Sequence, residues 1–314
     1  MGRYALRRLG ASLLTAVIAS MLIFLVVRAV PGDVVTQMLG QTNDSDVTIA
    51  LRIFFGLDQP VWRQYLAWMA RVLQGDMGIS WLSGDAVTSM VGQAFLVTLQ
   101  IAVLTLLLAV AVGIPLGILA SIYAGRLPDL LVQGFNLLGL AAPVFWVGLM
   151  LLVGVSTVLD WSPPMIYASP AESLSNNLQI LALPILTLSL LQAAACSQFV
   201  RQNVVSAYHQ DYVRTALAKG VPVRMIFFKH ILRNILIPLV TFMGLIFIQI
   251  LGGVVIVESL FSIPGLGRLL LTAIEGRNYP VLQGALLVIV TCALLVNLCI
   301  DLLYHAIDPR VRLH

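Results

Sequence analysis

Six stretches of the chain carry no Asp, Glu, Lys or Arg over lengths that match a bilayer: residues 9–27, 86–125, 130–159, 173–200, 234–257 and 278–300. About 20 apolar residues in a helix cross the hydrocarbon core, so the pattern predicts one spanning helix in each run. The second is expected to start near Ala94, because Val87–Gln93 is polar enough to lie at the surface. Two spans would fit in 86–125 by length alone.

Charge decides between six spans and seven. With six spans and a cytoplasmic N-terminus, the interior segments hold twelve of the eighteen Lys and Arg residues, and the exterior segments hold ten of the fourteen acids. A seventh span would export the basic block Arg201–Arg233, against the positive-inside bias. The first run follows Arg3, Arg7 and Arg8 as a signal peptide would. It is longer than an ordinary signal core and no A-x-A-like site follows, so it reads as an uncleaved span.

Composition closes off the soluble classes. Hydrophobic residues make up 60% of the chain and charged residues 10%, with a mean hydropathy of +0.98. A soluble domain of this size lacks the polar cover for such a sequence. The expected class is an all-α integral membrane protein, and the pI near 9.1 follows from interior arginines rather than from a nucleic-acid footprint. Cys196, Cys292 and Cys299 fall in apolar runs and read as small buried hydrophobes.

Three segments organise the chain: 1–30 (N-terminus and first span), 31–93 (an exterior cap) and 94–314 (spans two to six). The cap holds six aspartates, three arginines, Trp62, Tyr65, Trp68 and Trp81. Its Val61–Leu73 stretch, with apolar Leu66, Met69, Ala70 and Leu73, predicts a short amphipathic helix. Gly75-Asp76 and Ser83-Gly84-Asp85 predict turns. The aromatic side chains read either as interface packing or as a partner surface.

The interior loop 201–234 carries six basic residues and one acid. Asp211 opens a helical spacing through Tyr212, Thr215, Ala216 and Lys219. Gly220 and Pro222 then stop it, so a helix of about two turns is expected. Small Ala216, Ala218 and Gly220 would let another backbone approach. Within the spans charge is scarce, and Asp301 is the acid expected nearest a span core, as an interfacial partner for the Arg310 region. His209, His230, His305 and His314 all lie toward the cytoplasmic side, so no metal site or catalytic dyad at mid-membrane is expected. No G-x-x-x-x-G-K-[ST] loop occurs. Gly113, Pro115, Gly117, Pro143, Pro184, Gly244, Gly252 and Gly253 interrupt the spans, as packing points or as hinges.

The interior loop resembles the signature of bacterial ABC-importer permeases, with Arg214, Thr215 and Ala216 at the E-A-A positions and Gly220 as its glycine. The first two depart from the general pattern. Asp211 to Gly220 and His230 to Pro238 fit the dipeptide/oligopeptide/nickel branch throughout. Tyr4-x-x-Arg7-Arg8, Pro31-Gly32-Asp33, Gly56-Leu57-Asp58-Gln59-Pro60, Gly75-Asp76-Met77-Gly78-x-Ser80, Gly252-Gly253, Val257-Glu258, Phe261, Pro264-Gly265-Leu266-Gly267 and Asp308-Pro309-Arg310 agree with that branch in order along the chain.

The resemblance implies a type I ABC importer permease fold in a bacterial inner membrane, with both termini cytoplasmic. It implies a second, related permease as heterodimer partner, two cytoplasmic ATPases holding ATP and Mg, and an extracytoplasmic substrate-binding protein, with no cofactor on this chain and no enzyme activity. Asp211–Val223 would be the ATPase-coupling helix, through Asp211, Arg214, Thr215, Ala216, Lys219 and Gly220. Gln100, Asn136, Gln192 and Gln249 would line a path of low specificity. Short peptides are the expected cargo, with nickel or a metal chelate as the alternative. A secondary carrier is the reading from a different class, and the nearly charge-free spans argue against it.

Overall fold

The computed structural model describes residues 2–29, 45–54, 58–164 and 166–307. Pro31–Asp33, Gly56-Leu57 and Asp308–Arg310, which carry part of the resemblance, lie outside the described residues, as does Arg310 as a partner for Asp301. The described elements are α1 (Gly2–Ala29), α2 (Ser45–Phe54), α3 (Val61–Leu73), α4 (Val87–Ile122), α5 (Leu127–Ala141), α6 (Val144–Val158), α7 (Leu174–Tyr208), α8 (Asp211–Ala218), α9 (Val223–Met225), a π-helical turn (Ile226–Ile231), α10 (Leu232–Leu260), α11 (Leu266–Glu275) and α12 (Tyr279–Ile307).

Among the described residues five helices are long and apolar enough to cross a membrane, and a sixth is counted when α5 and α6, bent by 109° at the break between them, are taken as one span. The third charge-free run is therefore two helices. Pro143 explains the break: it disfavours helical backbone at the residue before it, and Ala142 sits extended at φ −76°, ψ 132°. Helix α4 begins at Val87 and runs 36 residues, about 54 Å at 1.5 Å per residue. The polar segment Val87–Gln93 is thus the first two turns of a helix longer than the hydrocarbon core.

The described residues form two compact units. The first comprises 1–96 and 269–295, and it contains the expected amphipathic helix as α3. Trp68 is buried on that helix and tilts against Phe24 of α1 at 5.7 Å, while Tyr65 meets the same ring edge-on at 5.6 Å. The Tyr65 and Ser20 hydroxyls are 2.9 Å apart. The segment after α3 folds back on itself through an isolated bridge between Ile79 and Ala86, with Gly75, Gly78 and Gly84 at positive φ. Asn278 fastens it: its amide donates to Ser80 Oγ at 2.7 Å and its Oδ1 accepts from the Trp81 N–H at 3.4 Å.

The second unit comprises 97–268 and 296–314, and α7 is its core helix. Buried positions run along α7 from Asn177 to Ala207, with α5, α6 and α10 packed around it. Small residues set the spacing. A Cβ on Gly113 would lie 2.7 Å from the Ala193 carbonyl oxygen, and one on Gly117 would lie 2.5 Å from that of Ser197. Gly139 faces Ala194 equally closely. Apolar surface gives helices no reason to associate inside lipid, so close van der Waals approach of this kind must supply it. Gly113, Gly117 and Gly244, the last against Ile300, are thereby packing points.

Gly117→Leu should therefore force α4 away from α7. Overpacking costs about 1–3 kcal/mol, so thermal unfolding of the purified subunit should shift downward, while the same change at Gly134, with open space around its Cβ, should shift it little.

Candidate functional site

The loop between α7 and α10 builds one short exposed helix. Gln210 is extended (φ −77°, ψ 149°) and starts α8 without a side-chain cap. Asp211 stands in the first turn, where the helix dipole favours an acid. The Thr215 hydroxyl donates to the Asp211 carbonyl at 2.8 Å. Arg214 and Asp211 approach to 3.9 Å but are 71% and 99% exposed, and such pairs contribute little.

Gly220 ends the helix as expected, and the hydrogen bonds show how. Its N–H donates to the Leu217 carbonyl at 2.9 Å, and the Val221 N–H reaches back to the Ala216 carbonyl at 3.1 Å. This pair of bonds is the Schellman closure, which needs left-handed backbone at the glycine, and Gly220 has φ +74°. The helix is shorter than the expected Asp211–Val223, because the closure stops it at Ala218 and Val223 already belongs to α9.

A single residue seats α8: Val213 is fully buried, whereas Asp211, Arg214, Thr215, Lys219 and Gly220 are exposed and Ala216 is half-buried. Tyr212 and Leu217 on α8, with Met225 and Phe228 just beyond, add exposed apolar surface. Beneath it the π-helical turn buries Ile226, Phe227 and Ile231 and leads directly into α10. The loop thus presents a short exposed helix with apolar residues on and just beyond it. Among the described residues no group of three His, Cys, Asp or Glu is placed to hold a metal.

Two buried acids brace the same unit: Asp129, which the sequence analysis did not name, and Glu258, which it named only within a motif. Asp129 is 1% exposed, and Arg201 of α7 grips it bidentately, Nε to Oδ1 at 2.6 Å and Nη2 to Oδ2 at 2.8 Å. The Gly125 N–H also donates to Oδ2 at 2.8 Å, so the turn before α5 is tied to α7 two turns before that helix ends. Glu258, expected in the exterior segment beyond the fifth span, is instead inside α10 and fully buried. It, and not only Asp301, is an acid within a spanning helix. Its carboxylate accepts from the Thr98 hydroxyl at 2.5 Å and from the N–H groups of Gly267 and Arg268 at 2.7 and 3.1 Å. Thr98 Oγ1 in turn accepts from the Leu266 N–H at 2.8 Å. The available signal was the lone acid beside each apolar run, which needs a partner to be tolerated.

The four path candidates sit in different surroundings. The Gln100 amide donates to Asn177 Oδ1 at 2.5 Å, and Asn177 donates to the Ala168 carbonyl at 2.9 Å. Asn136 is 3% exposed and its Oδ1 accepts no hydrogen bond. Gln192 is half-buried and Gln249 is exposed.

Comparison with known proteins covers nearly the whole chain. Residues 113–313 match the family described as binding-protein-dependent transport system inner membrane component, and residues 1–108 match the N-terminal family of such membrane components. The glutathione transport system permease protein GsiC of Escherichia coli (strain K12) is 38% identical over 309 residues, 98% of each chain. Its namesake in Salmonella paratyphi A is also 38% identical over 309 residues, again 98% of each chain. Among solved structures, an inward-facing form of the MetNI methionine ABC transporter superimposes with a TM-score of 0.56 at 16% identity, covering 70% of this chain and 96% of that one. This likeness establishes a shared fold.

Asp129→Ala should strand the Arg201 guanidinium. Removing one partner of a largely buried pair costs about 3–5 kcal/mol, so denaturant unfolding should show a large loss. Glu258→Ala should also destabilise, by about 1–3 kcal/mol for each donor left unpaired.

Proposed function

Because this chain belongs to the family of binding-protein-dependent transport system inner membrane components, as an ABC-importer permease subunit, we propose that it forms half of a translocation path for short peptides. A related permease supplies the other half, in a heterodimer. An extracytoplasmic binding protein delivers the cargo, and two cytoplasmic ATPases, each holding ATP and Mg, drive the cycle. The N- and C-termini and α8 face the cytoplasm, and the segment between the first two spans faces outward. The positive-inside distribution of Lys and Arg supports this orientation.

The observation that carries the reading is α8: an exposed two-turn helix, fixed at one end by the Gly220 closure and seated by Val213 between two spanning helices. An ATPase groove that clasps such a helix moves α7 and α10 as the nucleotide-bound pair closes, a rigid-body transmission. Ala216 and Gly220 give the closest approach, while Asp211, Arg214, Thr215 and Lys219 surround it with polar contacts. The peptide assignment draws on the 38% identity, over nearly the full length of both chains, to permeases whose name specifies glutathione, itself a tripeptide. The metal-chelate alternative has no comparable observation behind it. Gln192 and Gln249 offer amides to a passing peptide backbone. Gln100 and Asn136 belong to the same path if Gln100 exchanges its Asn177 bond for substrate and Asn136 comes to face the lumen.

The test is ATP hydrolysis by the assembled complex in lipid nanodiscs, with its binding protein and a panel of di- to pentapeptides. Peptide-loaded binding protein should stimulate hydrolysis in the wild type. Gly220→Arg or Ala216→Arg should reduce that stimulation by about tenfold or more, equivalent to losing one well-packed contact, with the spans still folded. Undiminished stimulation in both variants would place the coupling contact elsewhere.

A further inference from the structure

The segment that joins α8 to the body of α10 carries cations that the contact through α8 does not use. Arg224, Lys229 and Arg233 are exposed, and among the described residues none of the three forms an ion pair. Asp211 is the one acid of the loop 201–234, and it stands back on α8 beside Arg214. The residues after Ile307 add one acid against two arginines. The segment therefore keeps a surplus of positive charge.

The π-helical turn puts the three cations on one side. Arg224 and Lys229 are five residues apart, and Lys229 and Arg233 are four apart. In an unbroken α-helix a spacing of five would leave Lys229 about 140° around the axis from Arg224. A π turn closes on the fifth residue instead, and this one spans Ile226–Ile231. The packed side has the same register: buried Ile226, Ile231 and Ile235 repeat the spacing of five and then four.

Depth follows from residues 234–257, which carry no charge. As helix they are about 36 Å long, enough for a hydrocarbon core of about 30 Å. Arg233 thus stands at the edge of that core, the cytoplasmic edge in the orientation proposed above. Lys229 lies a turn below it and Arg224 a further turn below. Met225, Phe228 and Leu236 are 51%, 58% and 40% exposed, so apolar side chains accompany the cations from the loop into the charge-free run. A protein docked in the cytoplasm does not reach Leu236, whereas lipid does.

We propose that this elbow is seated on anionic phospholipid of the adjoining leaflet, of the phosphatidylglycerol type. The phosphodiesters pair with Arg224, Lys229 and Arg233, the two arginines offering forked donors that match phosphate oxygens. Phe228 and Met225 enter among the upper acyl carbons, as the apolar face of an interfacial helix does. Zwitterionic headgroups carry a phosphate too, but their own cation answers it. The contact fixes how far α8 stands from the bilayer.

The experiment is photo-crosslinking of the full complex in nanodiscs of mixed phosphatidylglycerol and phosphatidylcholine. The discs are doped with an analogue of one lipid or the other, photoreactive at the top of an acyl chain, and adducts are mapped by mass spectrometry. The phosphatidylglycerol analogue should label residues 224–236 in preference to the phosphatidylcholine one. In R224Q/K229Q/R233Q that preference should fall about fivefold for each charge removed. Lys229→Gln alone should cost about one such factor and serves if the triple variant does not assemble. Equal labelling by the two analogues, or an unchanged preference in Lys229→Gln, would overturn the proposal. A carbodiimide cross-link between the Lys229 amine and an ATPase carboxylate would overturn it too, since the face would then belong to the ATPase. Labelling needs neither peptide nor nucleotide, so its failure is distinct from failure of the transport reading.

Discussion

Helices dissolved in lipid are already in an apolar solvent, so burying leucine against leucine holds nothing together there. What remains is distance: backbones that come close enough gain dispersion contacts that lipid chains cannot match. The second unit of this protein is built on that constraint. Gly113 and Gly117, one turn apart on α4, admit the backbone of α7 at Ala193 and Ser197, and Gly139 admits Ala194 from α5. The facing residues on α7 are themselves small, through the run Ala193-Ala194-Ala195-Cys196-Ser197. Leucines and valines then point outward, which is why so many large apolar side chains of this subunit are exposed.

The same solvent makes every buried charge a liability unless it is answered, and Asp129 and Glu258 are answered by several donors each. Asp129 has Arg201 and the Gly125 N–H; Glu258 has Thr98 and two backbone donors at the start of α11. In both cases a turn with a glycine brings a bare N–H to the carboxylate. Gly265 has no room for a Cβ, because the Glu258 carboxyl occupies that space. The acids thus fix loops to helices in places where apolar packing alone would leave register undetermined.

Much of this was legible beforehand. Charge-free runs located the spans, because a spanning helix tolerates few charges. The α8 boundaries followed from Asp211 and Gly220, since dipole and left-handed closure are properties of single residues. The α3 helix followed from apolar spacing. Sequence was weaker wherever a partner lay far along the chain: Asp129 meets Arg201 across 72 positions, and Thr98 meets Glu258 across 160. Nothing local to Glu258 distinguishes a loop acid from a buried helix cap. The 109° bend at Pro143 was readable as a break but not as an angle, because the angle depends on what α6 packs against.

The π-helical turn between α8 and α10 has a geometric consequence for the helix that follows it. A π turn accommodates one residue more than an α turn over the same rise, so side chains on its two sides are offset by about 100° relative to an unbroken α-helix. Counting by 3.6 from Met225 through to Leu260 therefore assigns the wrong face to everything past Ile231. Within that turn Ile226, Phe227 and Ile231 are buried while Phe228 is exposed. The face of α10 that carries Glu258 to its donors is therefore set by the residue count through this turn as much as by α10 itself.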